Sequence, residues 1–454
     1  MDNQLAASLW QQLWQGLHGA NEIAALPCFI DTATLPSAYA VSELAATSIG
    51  LATQACASFI SNAAPVRVNV RLASRWFRSS FLPRNRPLPT LWDPYAGDYA
   101  CTDGWIRLHT NAPHHRRAME QVLGRHADRD ALARQVARWP GLRLEQAIVD
   151  AGGCAALMRS EQAWLAHPQG AAVMQEPLIA WLPGTAGPVP QWSLPAARPL
   201  LGIRVLDLTR VIAGPVATRF LASLGANVLR IDPPHWQEAS LDEEMNCGKR
   251  RAVLDFKTAA GRDGLRDLLQ QADVIVHGYR ADALALAGFD AETRARSAPG
   301  LVDVSLNAWG WSGPWRNRRG YDSLVQMGCG IAHRGQRWSA GDKPLPLPVQ
   351  ALDHATGYLM AAAVLEGLRR RRETGLGSRA CLSLARTARL LQQHPYAAGS
   401  QQRGITIHKH DVLSPIEITS RGIGERLRSA GYVSGIPQLC ASPGVAPGTH
   451  PARW

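Results

Sequence analysis

A chain of 454 residues, 46% hydrophobic and 19% charged, is long enough for two or three compact units and has the balance of a globular protein, not a disordered one. Its net charge of +12 comes almost wholly from arginine, with four lysines among 48 basic residues; the arginines are scattered and form no basic stripe with aromatics, which argues against nucleic acid and suits a polyanionic small molecule. No apolar run approaches the roughly 18 residues needed to cross a bilayer, Met1-Asp2-Asn3 opens no signal peptide, and eight singly spread cysteines predict neither a zinc site nor disulfides, so a cytoplasmic protein with no membrane partner and no metal is expected.

In chain order, residues 1–89 read as a helical, Ala-rich segment. Residues 90–182 read as a small α/β unit. A short strand at 105–109 follows the turn Asp103-Gly104, and three helices come next: 113–123 ended by Gly124, one to about residue 139, and one ending near Gly152. Residues 183–199, rich in Pro, Gly and Ala, read as a linker.

Residues 200–395 carry the clearest pattern. Buried strands are expected at 203–208, 227–231, 251–256, 273–277 and 301–306. A helix opens at Ala213-Gly214-Pro215 and stops at Gly225; Thr258 caps another. Strands alternating with helices predict a Rossmann-like parallel sheet with flanking helices, an α/β fold completed by the smaller α/β unit. Ligands of such sheets bind beyond the C-terminal strand ends, which singles out the loops at 209–214, 232–250, 277–280 and 307–321. Residues 396–454 read as an irregular tail. A partial internal repeat pairs Glu43-Leu44-Ala45-Ala46-Thr47, with an expected strand at 68–73, against Asp353-His354-Ala355-Thr356-Gly357, with one at 380–385. Two unrelated helix–strand pairs would read the same way.

Val205-Leu206-Asp207-Leu208-Thr209-Arg210-Val211-Ile212-Ala213-Gly214-Pro215 resembles the opening of the family III CoA-transferases, a group that includes formyl-CoA and carnitine CoA-transferases and the α-methylacyl-CoA racemases. Further segments resemble the family in the same order. These are Asn246-Cys247-Gly248-Lys249-Arg250, Gly278-Tyr279-Arg280, Trp309-Gly310-Trp311-Ser312-Gly313-Pro314, Gly320-Tyr321-Asp322 and Asp353 to Gly357. Residues 100–108 and 151–156 resemble the family's small second domain, which here precedes the CoA-binding half. That is a rearranged order, and residues 1–89 read as a remnant of a family copy.

The resemblance implies an acyl-CoA:carboxylate CoA-transferase working through an aspartyl-acyl mixed anhydride. Coenzyme A, as acyl-CoA, and a carboxylic acid would be its substrates, and a homodimer its assembly. Asp353 falls on the family's nucleophile; by local pattern alone it reads as a helix N-cap. Arg210, Val211, Ile212 and Ala213 fall on the CoA-holding turn. Lys249, Arg250, Tyr279 and Arg280 are candidate phosphate partners or neighbours, and Trp309 falls on an aromatic wall position. Adjacent helical positions diverge by about 100°, so His354 is not expected to share a face with Asp353. Two alternatives stay open. One is racemisation by alpha-proton transfer, disfavoured because Tyr321 stands in place of the racemase histidine; the other is a non-catalytic acyl-CoA-binding protein.

Overall fold

The computed structural model describes residues 1–20, 25–280, 282–397 and 404–454. Its centre is a seven-stranded sheet: β1 (Ala180–Ala186), β2 (Arg204–Leu208), β3 (Asn227–Asp232), β4 (Lys249–Val253), β5 (Val274–His277), β6 (Val302–Asn307) and β7 (Leu376–Ser383), in the spatial order β4-β3-β2-β5-β6-β7-β1. All neighbours run parallel except β7 and β1. The parallel strands are buried along most of their length, as expected where helices cover both faces. The register sets His277 against both Leu208 and Ser305, and Asn307 against Ser383. Four strands therefore end along one line, and their following loops share one rim.

Several boundaries differ from the sequence pattern for identifiable reasons. Residues 183–186 lie in edge strand β1 and not in a linker. The strand expected at 251–256 is β4, two residues earlier. Asp255 closes a turn there, accepting the Lys257 N–H at 3.0 Å, and Thr258 caps the next helix as expected. The strand expected at 68–73 covers only Arg67–Asn69, because the Asn69 side chain accepts the Leu72 N–H at 2.9 Å and starts the helix Val70–Trp76. Cys247 and Cys440 form a disulfide across 193 positions, against the expectation of unpaired cysteines. The tail that carries Cys440 returns along β4, where Arg251 and His450 exchange two hydrogen bonds of 2.9 and 3.2 Å. This covers a sheet edge that would otherwise expose unpaired backbone groups. The tail also forms short strands at Glu417–Thr419, Gly422–Arg426 and Gly431–Tyr432.

The helices that position the site are α1 (Val41–Phe59), α2 (Pro113–Leu123), α3 (Ala213–Ser223), α4 (Asp322–Gly328), α5 (Ala351–Thr374) and α6 (Leu384–Gln392). Apolar residues occur on every side of the first 18 positions of α5, which are all buried; such a helix belongs in a core. It packs between α1 and α3 and over β6 and β7. Gly357 makes the α3 contact possible, because a Cβ there would lie 2.4 Å from the Ala213 carbonyl oxygen. The close partner of this glycine is thus a helix, not a ligand. The three antiparallel strands Gly97–Cys101, Gly104–Leu108 and Ala155–Leu157 form a separate small sheet with its own core of Ile106, Leu108, Leu132, Leu144 and Ile148. It is fixed to the large sheet by buried Glu145, which pairs with Arg159 at 2.6 Å and Arg318 at 3.2 Å. Among the described residues, no helix is long and apolar enough to cross a membrane.

Candidate active site

The loops beyond β2, β5 and β6 enclose a cavity of about 360 Å³. Its first wall is the β2–α3 turn. Buried Asp207 accepts the Thr209 N–H at 2.9 Å, the Thr209 hydroxyl at 2.6 Å and the Thr218 hydroxyl at 2.6 Å, tying the turn to the strand end. Val211 sits at φ +66°, a left-handed conformation unfavourable for a β-branched residue by about 1–2 kcal/mol. Its N–H donates to Glu238 at 2.6 Å, and Arg230 pairs with the other Glu238 oxygen at 2.6 Å. A fully buried arginine thus holds the strained turn through a carboxylate on the next loop. The strain aims Arg210 across the cavity, where its guanidinium lies 4.9 Å from both the Trp236 and the Tyr279 ring centroids and donates to the Tyr279 hydroxyl at 2.7 Å. Arginine held between aromatic faces keeps its charge with little rotamer freedom left to lose.

Asp353 lines the same cavity. Helix α5 begins at Ala351 after Gln350, so Asp353 is its third residue and not its N-cap. The cap comes from another helix: buried Asp322, at the start of α4, accepts the Asp353 N–H at 2.9 Å and also holds the Gln326 amide. Burial pushes the Asp322 carboxyl up to about 6, against those hydrogen bonds. Burial also pushes the Asp353 carboxyl well above the ordinary range, and the charge of Asp322 adds to the rise. The asymmetry is physical, since Asp322 is met by N–H donors while, among the described residues, no group donates to the Asp353 side chain. Asp353 is also the only carboxylate lining the cavity among the described residues, in a wall with Arg210, Arg280, Arg318 and Arg319.

The expected site residues divide. Arg210, Val211, Ala213, Tyr279, Arg280 and Asp353 come together on the cavity wall. Ile212 and His354 instead face a neighbouring cavity beside Phe77, so Asp353 and His354 do diverge; burial pushes the His354 imidazole down to about 3. Lys249 is not at the cavity. It is 1% exposed and donates to Asp207 at 3.1 Å, the Thr218 hydroxyl at 2.6 Å and the Pro215 carbonyl at 3.0 Å, so its role is to brace the turn from beneath. Burial pulls its ammonium down to about 8. Arg250 donates to the Arg453 carbonyl at 2.8 Å, on the β4 edge. Trp309 is core, 1% exposed, but its indole N–H donates to the Arg319 carbonyl at 3.0 Å and fixes the rim segment that carries Arg318 to Tyr321.

Sequence reasoning missed Trp236 and Glu238, although the loop at 232–250 was singled out. It also missed His114 and His115, which α2 brings to the cavity from the small unit. Tyr321 stacks on His109 at 3.8 Å and meets His115 edge-on at 5.7 Å. Burial raises the Tyr321 hydroxyl far above its usual range and pushes His109 and His115 down to about 3.

A model of CoA-transferase family III matches residues 200–417. The acetyl-coenzyme A transferase nodX of Hypoxylon pulicicidum is 36% identical over 193 residues, 41% of this chain and 32% of its own length. The succinate–glutarate CoA-transferase of Agrobacterium fabrum is 29% identical over 270 residues, 54% of this chain and 67% of its own. The solved structure of a CAIB/BAIF family protein from Brucella suis is 25% identical, with a TM-score of 0.38 over 50% of this chain and 65% of that one. The chain spans less than half the length of several of its curated relatives. The matched stretch runs from just before β2 past α6 into the tail and contains the whole β2–α3 turn, Asp322 and Asp353, and over it the chain is similar to CoA-transferase family III.

Proposed function

We propose that the chain transfers CoA between an acyl-CoA thioester and a carboxylic acid, with Asp353 as the nucleophile. The observation that carries this reading is a single undonated carboxylate, among the described residues, in a cavity that four arginines also line, at the C-terminal ends of parallel strands. The Asp353 oxygen attacks the thioester carbonyl, the C–S bond breaks, and CoA thiolate leaves as the anhydride forms. The thiolate then displaces the donor acid to give an aspartyl thioester. The acceptor carboxylate attacks that thioester, and the returning thiolate takes the acceptor's acyl group and restores Asp353. Each step exchanges one oxygen or sulfur nucleophile for another and needs no net proton. Holding the reactants together supplies roughly 7–11 kcal/mol of such barriers, and a desolvated carboxylate is the stronger nucleophile once ionised. Arg210, with Tyr279 and Trp236, and Arg280 would hold the CoA phosphates and adenine.

Proton transfer alpha to the thioester has less support. His354 faces the neighbouring cavity, and Tyr321 is a weaker acid than a free tyrosine and harder to ionise as a base. The test is incubation with a panel of acyl-CoAs, trapping with hydroxylamine and mass spectrometry. A hydroxamate on Asp353 supports the reading. Alpha-deuterium exchange without an adduct would replace it with isomerisation.

A further inference from the structure

A second group of lining residues gathers where the small unit meets the rim segment, at Arg319, His114 and His115. Arg319 and its neighbour differ sharply. The Arg318 guanidinium is committed, lying 4.0 Å over Trp315, paired with Glu145 at 3.2 Å and donating to the Ala155 carbonyl at 2.8 Å. Arg319 is exposed and reaches only the Gly152 carbonyl, at 3.5 Å; among the described residues, no acid pairs with it. His115 is 1% exposed, its Nε2 lies 3.5 Å from the Cys154 sulfur, and its Nδ1 has no partner among the described residues. Burial keeps this ring neutral, and in the tautomer whose Nε2 accepts from the Cys154 thiol, Nδ1 carries the hydrogen and is a donor. His114 and His115 open helix α2, which begins with Pro113 and has no side-chain cap on its first turn. Pro113 has no N–H and the His115 N–H donates to the Ala112 carbonyl at 2.9 Å, so the His114 N–H is the first-turn donor left at this positive helix end.

Resting on the transfer reading above, we propose that Arg319, His115 and the first turn of α2 form a carboxylate subsite that holds the remote end of a dicarboxylic substrate while its other end reacts at Asp353. A planar arginine fork beside a neutral donor suits one carboxylate. The CoA phosphates have separate partners on the turns after β2 and β5. The subsite joins residues of the small unit to one of the rim segment, so the small unit helps select the acid as well as covering the cavity.

The test is calorimetric binding to the full chain of two five-carbon acids, glutarate and valerate, and separately of CoA and 3′-dephospho-CoA. Glutarate is expected to bind at least about tenfold tighter than valerate. Arg319→Gln, an exposed change, should cut that ratio at least about tenfold, and His115→Phe, which keeps an aromatic ring edge-on to Tyr321 but removes Nδ1, should cut it less. Equal binding of the two acids overturns the proposal. So does Arg319→Gln narrowing the CoA against dephospho-CoA difference while leaving the glutarate ratio intact, which would make Arg319 a phosphate partner. Because these are binding readouts, glutarate preference without an Asp353 adduct would sink the transfer reading and keep the subsite.

Discussion

Two long buried helices lie side by side, α1 and α5, and each carries an acid at its third position, Glu43 and Asp353. Their surroundings repeat. Each helix is followed by a strand whose last residue caps a short helix, through Asn69 in one case and Ser383 in the other. Each long helix is tied to that short helix by a hydroxyl pair, Ser42 with Ser74 at 2.8 Å and Thr356 with Thr387 at 2.7 Å. The acids differ in what meets them. Glu43 is fully buried, with one oxygen accepting the Asp2 N–H at 2.8 Å and the other the Tyr396 hydroxyl. Asp353 lines a cavity on one side and has a second carboxylate behind it. The lesson is that helix position alone does not separate a structural acid from a reactive one; the hydrogen-bond donors around the carboxylate do.

That contrast can be broken most decisively at Asp353. Asp353→Asn should lower turnover by about 10³-fold or more and remove the hydroxylamine-trapped adduct. It should also raise the melting temperature at neutral pH. The folded-state pKa of Asp353 lies above its unfolded value, so over the pH range between them the unfolded state binds fewer protons, and the group loses stability as pH rises. An amide removes that loss. A lower melting temperature would show that the charge is compensated.

Glu43→Ala should do the reverse, costing about 1–3 kcal/mol in denaturant unfolding by removing the buried acceptor of the Asp2 N–H and the Tyr396 hydroxyl while kcat stays within about threefold. A folded Glu43→Ala protein without activity would break the comparison. A smaller asymmetry is expected one turn along. Gly357→Ala should cost about 1–3 kcal/mol, because a Cβ meets the α3 backbone. At the matched position, Thr47→Ala should change stability by less than about 1 kcal/mol, since it removes only hydroxyl bonds to Glu43 and Leu44 carbonyls in its own helix.

The finest test is the pH profile. Transfer needs ionised Asp353, so kcat/KM should fall as pH drops through its raised pKa, with an acid limb above the ordinary carboxylate range. Asp322→Asn removes the neighbouring charge and should move that limb to lower pH. An unmoved limb would assign it to another group.

Much of this was legible in the sequence. The β2–α3 turn, the alternating strands and the helix 113–123 follow from hydrophobic period and from Gly, Pro and Thr at element ends. The position of Asp353 beyond the strand ends follows from chain order. Its raised pKa does not, because that depends first on burial in the assembled core and then on Asp322 reaching across from another helix. Lys249 looked like a phosphate partner because a cation in a loop–strand motif gives no sign that Asp207 awaits it in the core. Trp236 and Glu238 lie in a loop with no periodicity, and their roles come from packing against Arg210 and Val211. The pairing of Cys247 with Cys440 depends on a tail path that no local pattern encodes.

The packing of α1 against α5 also sets a schedule for synthesis. Nearly every residue of α1 is buried, yet the helix that covers it ends at Thr374. At roughly 5–20 residues per second, about 15 seconds to a minute of translation separates the two. During that interval the nascent chain presents an apolar helix without its partner. Chaperone dependence and aggregation during expression are therefore expected to track mutations on the α1 face that meets α5 more closely than mutations around the cavity.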